Sequence, residues 1–303
     1  MTAMPRSLTK GQRREYRQGV LFVLPFMLLF LVFVLLPVVI SVVLSFTSYN
    51  IIQPPSFAGL DNYKQLFLDD DVFQTCVRNT LLFAFIAGPV GLAASFILAW
   101  VINQMKLRSL FAIAFYAPSI TSGIAMSTVW LYIFSPNRYG LVNNLLIQLG
   151  FINTPILWNQ DARYLLGVII LIQIWMSMGN GFLVFLAGLQ NVNAEYYEAA
   201  AVDGVSGRLQ QLVYITLPQM KPQLLFGCIN AITASFAVFD ISAGFAGVPS
   251  PNYAADTIVS HLYDFAFIRF EMGYASAIAV VLFVLMFVFK KGVSLLMRRI
   301  GDE

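Results

Sequence analysis

The sequence predicts an all-α protein, a bundle of about six transmembrane helices with both termini in the cytoplasm. Three observations carry that expectation: six apolar blocks recur along the chain, 59% of its 303 residues are hydrophobic while only 11% are charged, and lysine and arginine concentrate in alternate inter-block segments. A soluble domain carries roughly 45–50% apolar and about 25% charged residues, so this chain has too few charges to cover a water-facing surface. The blocks span residues 20–45, 78–102, 109–134, 164–189, 223–245 and 272–296. Each reaches the ~20 residues that a helix needs to cross the hydrocarbon core. In lipid, backbone groups must be bonded internally, and these continuous runs lack the alternation of a barrel strand.

The first block follows a basic stretch, but it is too long for the apolar core of a signal peptide, and no small-x-small cleavage site follows it. It therefore reads as an uncleaved first span, preceded by a cytoplasmic segment over residues 1–19, with one membrane domain over 20–303. Thirteen of the 18 lysines and arginines fall on one side: Arg6, Lys10, Arg13, Arg14 and Arg17 before the first span, Lys106 and Arg108, then Arg208 and Lys221, then Lys290, Lys291, Arg298 and Arg299. Basic residues mark cytoplasmic loops, which places both termini inside. The other side carries the acidic run Asp69, Asp70 and Asp71, in loops rich in Pro, Asn, Tyr and Trp. Cys76 and Cys228 lie in spans expected to end at opposite faces, too far apart for a disulfide. A net charge of +3 distributed in this way implies lipid contact, not nucleic acid.

The inner loop at 191–222 is the most informative stretch. Its first part, from Glu195 through Glu198, Ala199, Ala200 and Ala201 to Gly204, predicts a helix. Glu and Ala are strong helix formers, acids suit a first turn, and glycine suits a helix end. A second short helix over residues 205–217 closes at Pro218 and Pro222, because a proline disfavours helix in the residue before it. Two short helices along the membrane surface follow, and three alanines beside an acid make a small face that another protein can approach closely.

The segment resembles the EAA loop of ABC importer permeases, whose pattern is E-A-A, three residues, G, nine residues and I-x-L-P. Glu198, Ala199, Ala200, Gly204, Ile215, Leu217 and Pro218 match, but ten residues separate Gly204 from Ile215. One extra residue turns a helical face by ~100°, so the second helix either presents a shifted face or absorbs a bulge. Further likeness to sugar permeases of the carbohydrate-uptake family lies in residues 57–63, in Arg78, Asn79 and Thr80, and in residues 273–279. The resemblance implies a second, homologous permease, two cytoplasmic ATPase subunits that dock on the EAA loop and bind ATP and Mg, an extracytoplasmic solute-binding protein, and sugars or polyols as solutes. It implies no cofactor and no catalytic residue in this chain. No lysine here follows a glycine, so the phosphate loop G-x-x-x-x-G-K-[ST] is absent.

Individual residues carry two readings each. Glu198 reads as an ATPase-docking acid or as a helix-dipole acid on a solvated loop. Asp203 reads equally as a cap and as a docking residue. Asp240 is the one acid inside an expected span, where a carboxylate marks a solute path or a hydrogen bond to a neighbouring helix or chain. Asn230, Thr233, Ser235, Gln173, Ser177 and Asn180 are candidates for a polar path or for interhelical hydrogen bonds. Trp175 either stacks on a sugar ring or packs in the core, Trp100 and Trp130 read as interfacial anchors, and His261 stands without the neighbours a metal site needs. A secondary transporter is the alternative, but such proteins contain internal repeats, and none is evident in six spans. A membrane enzyme would need a cluster of acids and histidines that one histidine does not supply.

Overall fold

A computed structural model describes residues 10–205 and 207–301. Among the described residues, five helical stretches are long and apolar enough to cross a membrane. The first, α1, runs through Lys10–Phe30, Leu31–Leu35 and Leu36–Leu44 without a break. Its central turn widens to π form just before Pro37, a wider turn that accommodates a residue without an N–H. Residues 15–40 are exposed throughout, and only the outer half of the helix packs, against the last span. A short hairpin of β1 (Thr47–Ser48) and β2 (Ser56–Phe57) then leads to the second span, α2 (Asp71–Asn103).

The expected third span is not one helix. It consists of α3 (Arg108–Ile120) and α4 (Gly123–Ile133), separated where Ser122 turns to an extended conformation with ψ 138°. Pro118 lacks an N–H, and the Ser119 hydroxyl donates to the Tyr116 carbonyl at 2.8 Å, so the ladder is already loosened before the break. In the outer loop that follows, α5 (Leu141–Gln148) is held by the fully buried Asn143. Its amide donates to the carbonyls of Ser135 and Ile156, and its oxygen accepts from Ile156 N and Trp158 Nε1, all at 3.0 Å.

The fourth span, α6 (Ala162–Gln190), forms with α2 the most extensive seam of the bundle. Small residues permit that approach: Gly91 lies against Ser177 and Gly181 against Ser95, whose hydroxyl donates to the Gly91 and Ser177 carbonyls at 2.7 and 3.0 Å. In lipid such close packing and hydrogen bonding replace the hydrophobic drive of soluble proteins. Two cytoplasmic helices follow: α7 (Ala194–Val202) and α8, which runs from Arg208–Gln211 through a π turn at Leu212–Thr216 to Leu217–Gln219.

The fifth span is also interrupted, into α9 (Lys221–Phe236) and α10 (Asp240–Ala246), with Phe239 outside helical geometry. The Val238 carbonyl freed by the interruption accepts from the Thr257 hydroxyl at 3.1 Å, which satisfies a backbone group that lipid could not. An outer helix, α11 (Ile258–Tyr263), passes into a π turn at Asp264–Ile268 and precedes the last span, α12 (Met272–Gly301).

Three apolar clusters stack along α2. The outer one contains Leu66, Phe73, Cys76 and Ile258, the middle one Phe83, Leu165, Ile169 and Phe245, and the inner one Phe96, Phe182, Phe185 and Met220. The motifs outside the inner loop that carried the resemblance tie the outer end together. Asn62 donates to the Ser45 and Thr47 carbonyls at 2.8 and 2.9 Å, and Asn79 donates to the Tyr253 and Asp256 carbonyls at 3.0 Å. Thr80 accepts from Ile258 N at 3.0 Å, and Gly273 N donates to the Tyr49 carbonyl at 3.1 Å.

Candidate functional site

The cytoplasmic loop is built by its caps. Asn193 accepts from Glu195 N at 3.1 Å and starts α7. At the other end Gly204 N donates to Ala201 O at 3.2 Å and Val205 N donates to Ala200 O at 2.8 Å. This closure requires the left-handed conformation of Gly204, φ 91°. Asp203 closes the helix through its backbone N–H, bonded to the Ala199 carbonyl at 3.2 Å.

The π turn at Leu212–Thr216 absorbs the extra residue between Gly204 and Ile215. A π turn takes one residue more than an α turn, so Ile215 returns to the buried side, 8% exposed, and Thr216 is 2% exposed. Thr216 Oγ1 and the Tyr197 hydroxyl lie 2.9 Å apart and lock α8 to α7. Of the residues expected to dock, Glu198, Ala199, Asp203, Gly204 and Pro218 are exposed, Ala200 and Leu217 are half-buried, and Ile215 anchors the loop from beneath. Val202 (88% exposed), Leu209 and Tyr214 extend the outward face with apolar surface that the sequence reading had not singled out. The signal was present, since each is a large apolar side chain in a cytoplasmic loop.

In the membrane region a cavity of about 430 Å³ lies between α2, α3, α6 and α9. Gln173 and Asn230 line it from different helices, with the hydroxyls of Ser95, Ser119, Ser177 and Ser235. Thr233, Trp175 and Asp240 do not join them among the described lining residues. Thr233 is exposed with its hydroxyl donated to Ile229 O, and Trp175 stands edge-on to Trp130 at 5.3 Å. Asn180 lies on α6, and its side chain falls outside the described residues. Asp240 is exposed where α10 begins, against Gly123 where α4 begins, so both interrupted helices break at one point.

His261 is not isolated. Its Nε2 lies 2.9 Å from Asp70 Oδ2, which also accepts from the Tyr274 hydroxyl at 2.7 Å, while Asp70 Oδ1 accepts from Phe73 N at 2.7 Å and caps α2. Burial raises the Asp70 pKa, but the bonds from Tyr274 and Phe73 and the attraction of His261 outweigh it and hold the carboxyl below its ordinary value. A depressed acid stabilises the fold fully above its unfolded pKa of about 3.9 and loses that contribution as pH falls through the folded value. Asp70→Asn is therefore expected to remove about 1.5–3 kcal/mol at neutral pH. Melting curves in detergent across acid and neutral pH should show a variant less stable at pH 7 and less sensitive to acid.

The family pattern described as "Binding-protein-dependent transport system inner membrane component" matches residues 89–302. The chain belongs to that family. It is a multi-pass inner-membrane permease subunit of a binding-protein-dependent ABC importer. The permease is 35% identical over 289 residues to the probable ABC transporter permease protein YesP of Bacillus subtilis, covering 93% of this chain and 90% of the other. It is 34% identical to the arabinooligosaccharides transport system permease protein AraP of the same organism, covering 88% and 84%. It is 32% identical to the lactose transport system permease protein LacF of Rhizobium radiobacter, covering 87% and 88%. Its fold matches a chain in the crystal structure of a bacterial alginate ABC transporter in complex with its alginate pentasaccharide-bound periplasmic protein, with a TM-score of 0.82 over 96% of this chain and 97% of the other, at 24% identity.

Proposed function

We propose that the permease imports sugars or polyols, forming the path with a second, homologous permease and drawing energy from two cytoplasmic ATPase subunits that hold ATP and Mg. The observation that carries the reading is the outward face of α7 and α8. Exposed Glu198 and Ala199 stand beside a glycine-closed turn and a run of exposed apolar residues, all braced from beneath by Ile215 and the Tyr197–Thr216 contact. An exposed apolar patch rimmed by polar residues marks a protein interface. The solute class rests on the sugar transport for which the relatives AraP and LacF are named and on the Gln173 and Asn230 amides set in an otherwise uncharged cavity, which suit a hydroxylated solute. The membrane domain over residues 20–303 carries both the path and the loop at 191–222.

ATPase closure would then push the loop and rock the bundle between its inward-facing and outward-facing states. Gentle extraction from the native membrane is expected to recover a second permease and an ATPase with this chain, and the reconstituted complex is expected to take up sugar only with binding protein and ATP. Recovery of the chain alone, with uptake driven by an ion gradient, would replace this reading with a secondary transporter.

A further inference from the structure

At the end of the bundle that the basic residues place in the cytoplasm, a second cavity of about 690 Å³ opens between the end of α2, the start of α3, the end of α6 and the inward side of the coupling loop. Arg108 and Arg208 line it from elements far apart in the chain, and neither forms an ion pair among the described residues. Asn103 stands in the same wall with its Oδ1 buried and without a hydrogen-bond partner among the described residues. Two guanidinium groups in one cleft call for an anion with several acceptor oxygens, and arginine matches phosphate geometry well, while Asn103 Oδ1 is an acceptor and so calls for a hydroxyl donor beside that anion.

The depth of the cavity selects the source of that anion. Trp100 and Leu189, at the inner ends of two spans, form its membrane side, and tryptophan belongs at the headgroup level. On the loop side the wall is Tyr197, Gln211 and Thr216, the inward face of α7 and α8. The outward residues Glu198, Val202, Leu209 and Tyr214 do not line it, so the cavity lies behind the surface assigned to the ATPase. We propose that it binds the phosphate of an anionic phospholipid headgroup from the cytoplasmic leaflet, neutralised by Arg108 and Arg208, and that this lipid braces the coupling loop against the bundle. Basic clefts between helices on the cytoplasmic side are suited to such headgroups.

The test uses the whole purified transporter, titrated with phosphatidylglycerol or phosphatidylcholine in detergent and read by native mass spectrometry. Wild type is expected to retain phosphatidylglycerol and not phosphatidylcholine. Arg108→Gln and Arg208→Gln should each weaken retention about fivefold and the pair about 25-fold, while Arg→Lys at both positions keeps most of it. Inorganic phosphate at matched concentration should displace none. Full displacement by inorganic phosphate would make the free ion the ligand and overturn the lipid assignment. Unchanged phosphatidylglycerol retention in the double variant would overturn it as well. Loss of ATPase subunits with lipid retention intact would instead place both arginines in the ATPase interface.

Discussion

Gly204→Val is expected to reduce solute uptake roughly 5- to 150-fold while leaving the membrane bundle folded. Gly204 holds φ 91°, a conformation that a β-branched residue adopts only as a strained outlier. Strain at such a site costs about 1–3 kcal/mol, and the chain escapes it by opening the turn. Opening breaks the Val205 N–Ala200 O bond at 2.8 Å and releases the entry to α8. An energy of this size shifts the population of the docking-competent loop by roughly 5- to 150-fold. Nothing within 4 Å of a Cβ at this position would be displaced, so the effect is conformational and local. Transport in reconstituted vesicles and recovery of the ATPase subunits should fall together, while the melting temperature of the bundle stays within a few degrees of wild type. Gly204→Asn, which tolerates the left-handed region, should retain most of the uptake. Full uptake by the valine variant would show that the closed turn is not what the ATPase reads.

The contrast between the two halves of the coupling loop shows which features sequence made legible. α7 was readable because its signals are local: the acidic first turn, the alanines and the terminating glycine act within one or two turns. α8 was not, because the extra residue before Ile215 permits either a rotated face or a widened turn, and the choice depends on burying Ile215 and Thr216 beneath the loop. The same division holds in the membrane. Apolar length revealed where the chain crosses, yet hydropathy does not register that the segments around Ser122 and Phe239 leave helical geometry, since the residues on either side are apolar in both conformations. Those interruptions are set by tertiary contacts, the Thr257 bond to Val238 among them. Gln173 and Asn230 were recognisable as polar groups inside spans, but their meeting in one cavity, like the exclusion of Thr233 and Trp175 from it, depends on how helices rotate about each other. Asp70 stood in the sequence only as one of the acidic run 69–71; its cap on α2 and its bonds to His261 and Tyr274, which join separate segments, are a property of the fold alone.

The meeting of the two interrupted helices yields the second large effect. A Cβ at Gly123 would stand 2.7 Å from Asp240 Cβ and 3.1 Å from its Oδ2, so Gly123→Ala must push the starts of α4 and α10 apart. Overpacking of this kind costs about 1–3 kcal/mol. One turn further on, the pair Gly244 and Ser127 is just as close, so the two half-helices have no slack along their shared face. Interrupted spans are where transporters place solute sites and the surfaces that move, and an exposed carboxylate inside a span, here in the outer half of the fifth, is costly unless water or a ligand meets it. Gly123→Ala is therefore expected to reduce uptake about tenfold or more with assembly intact, and Asp240→Asn to reduce it through loss of charge at nearly constant shape. Combining Gly123→Ala with Asp240→Gly isolates the steric part, because removing the opposing Cβ relieves the clash. A double-mutant cycle on thermal stability should give a favourable coupling of about 0.5–3 kcal/mol between the two changes. Uptake should remain low in the double variant if the carboxylate itself faces the solute, and should recover with stability if Asp240 serves only to pack α10 against α4.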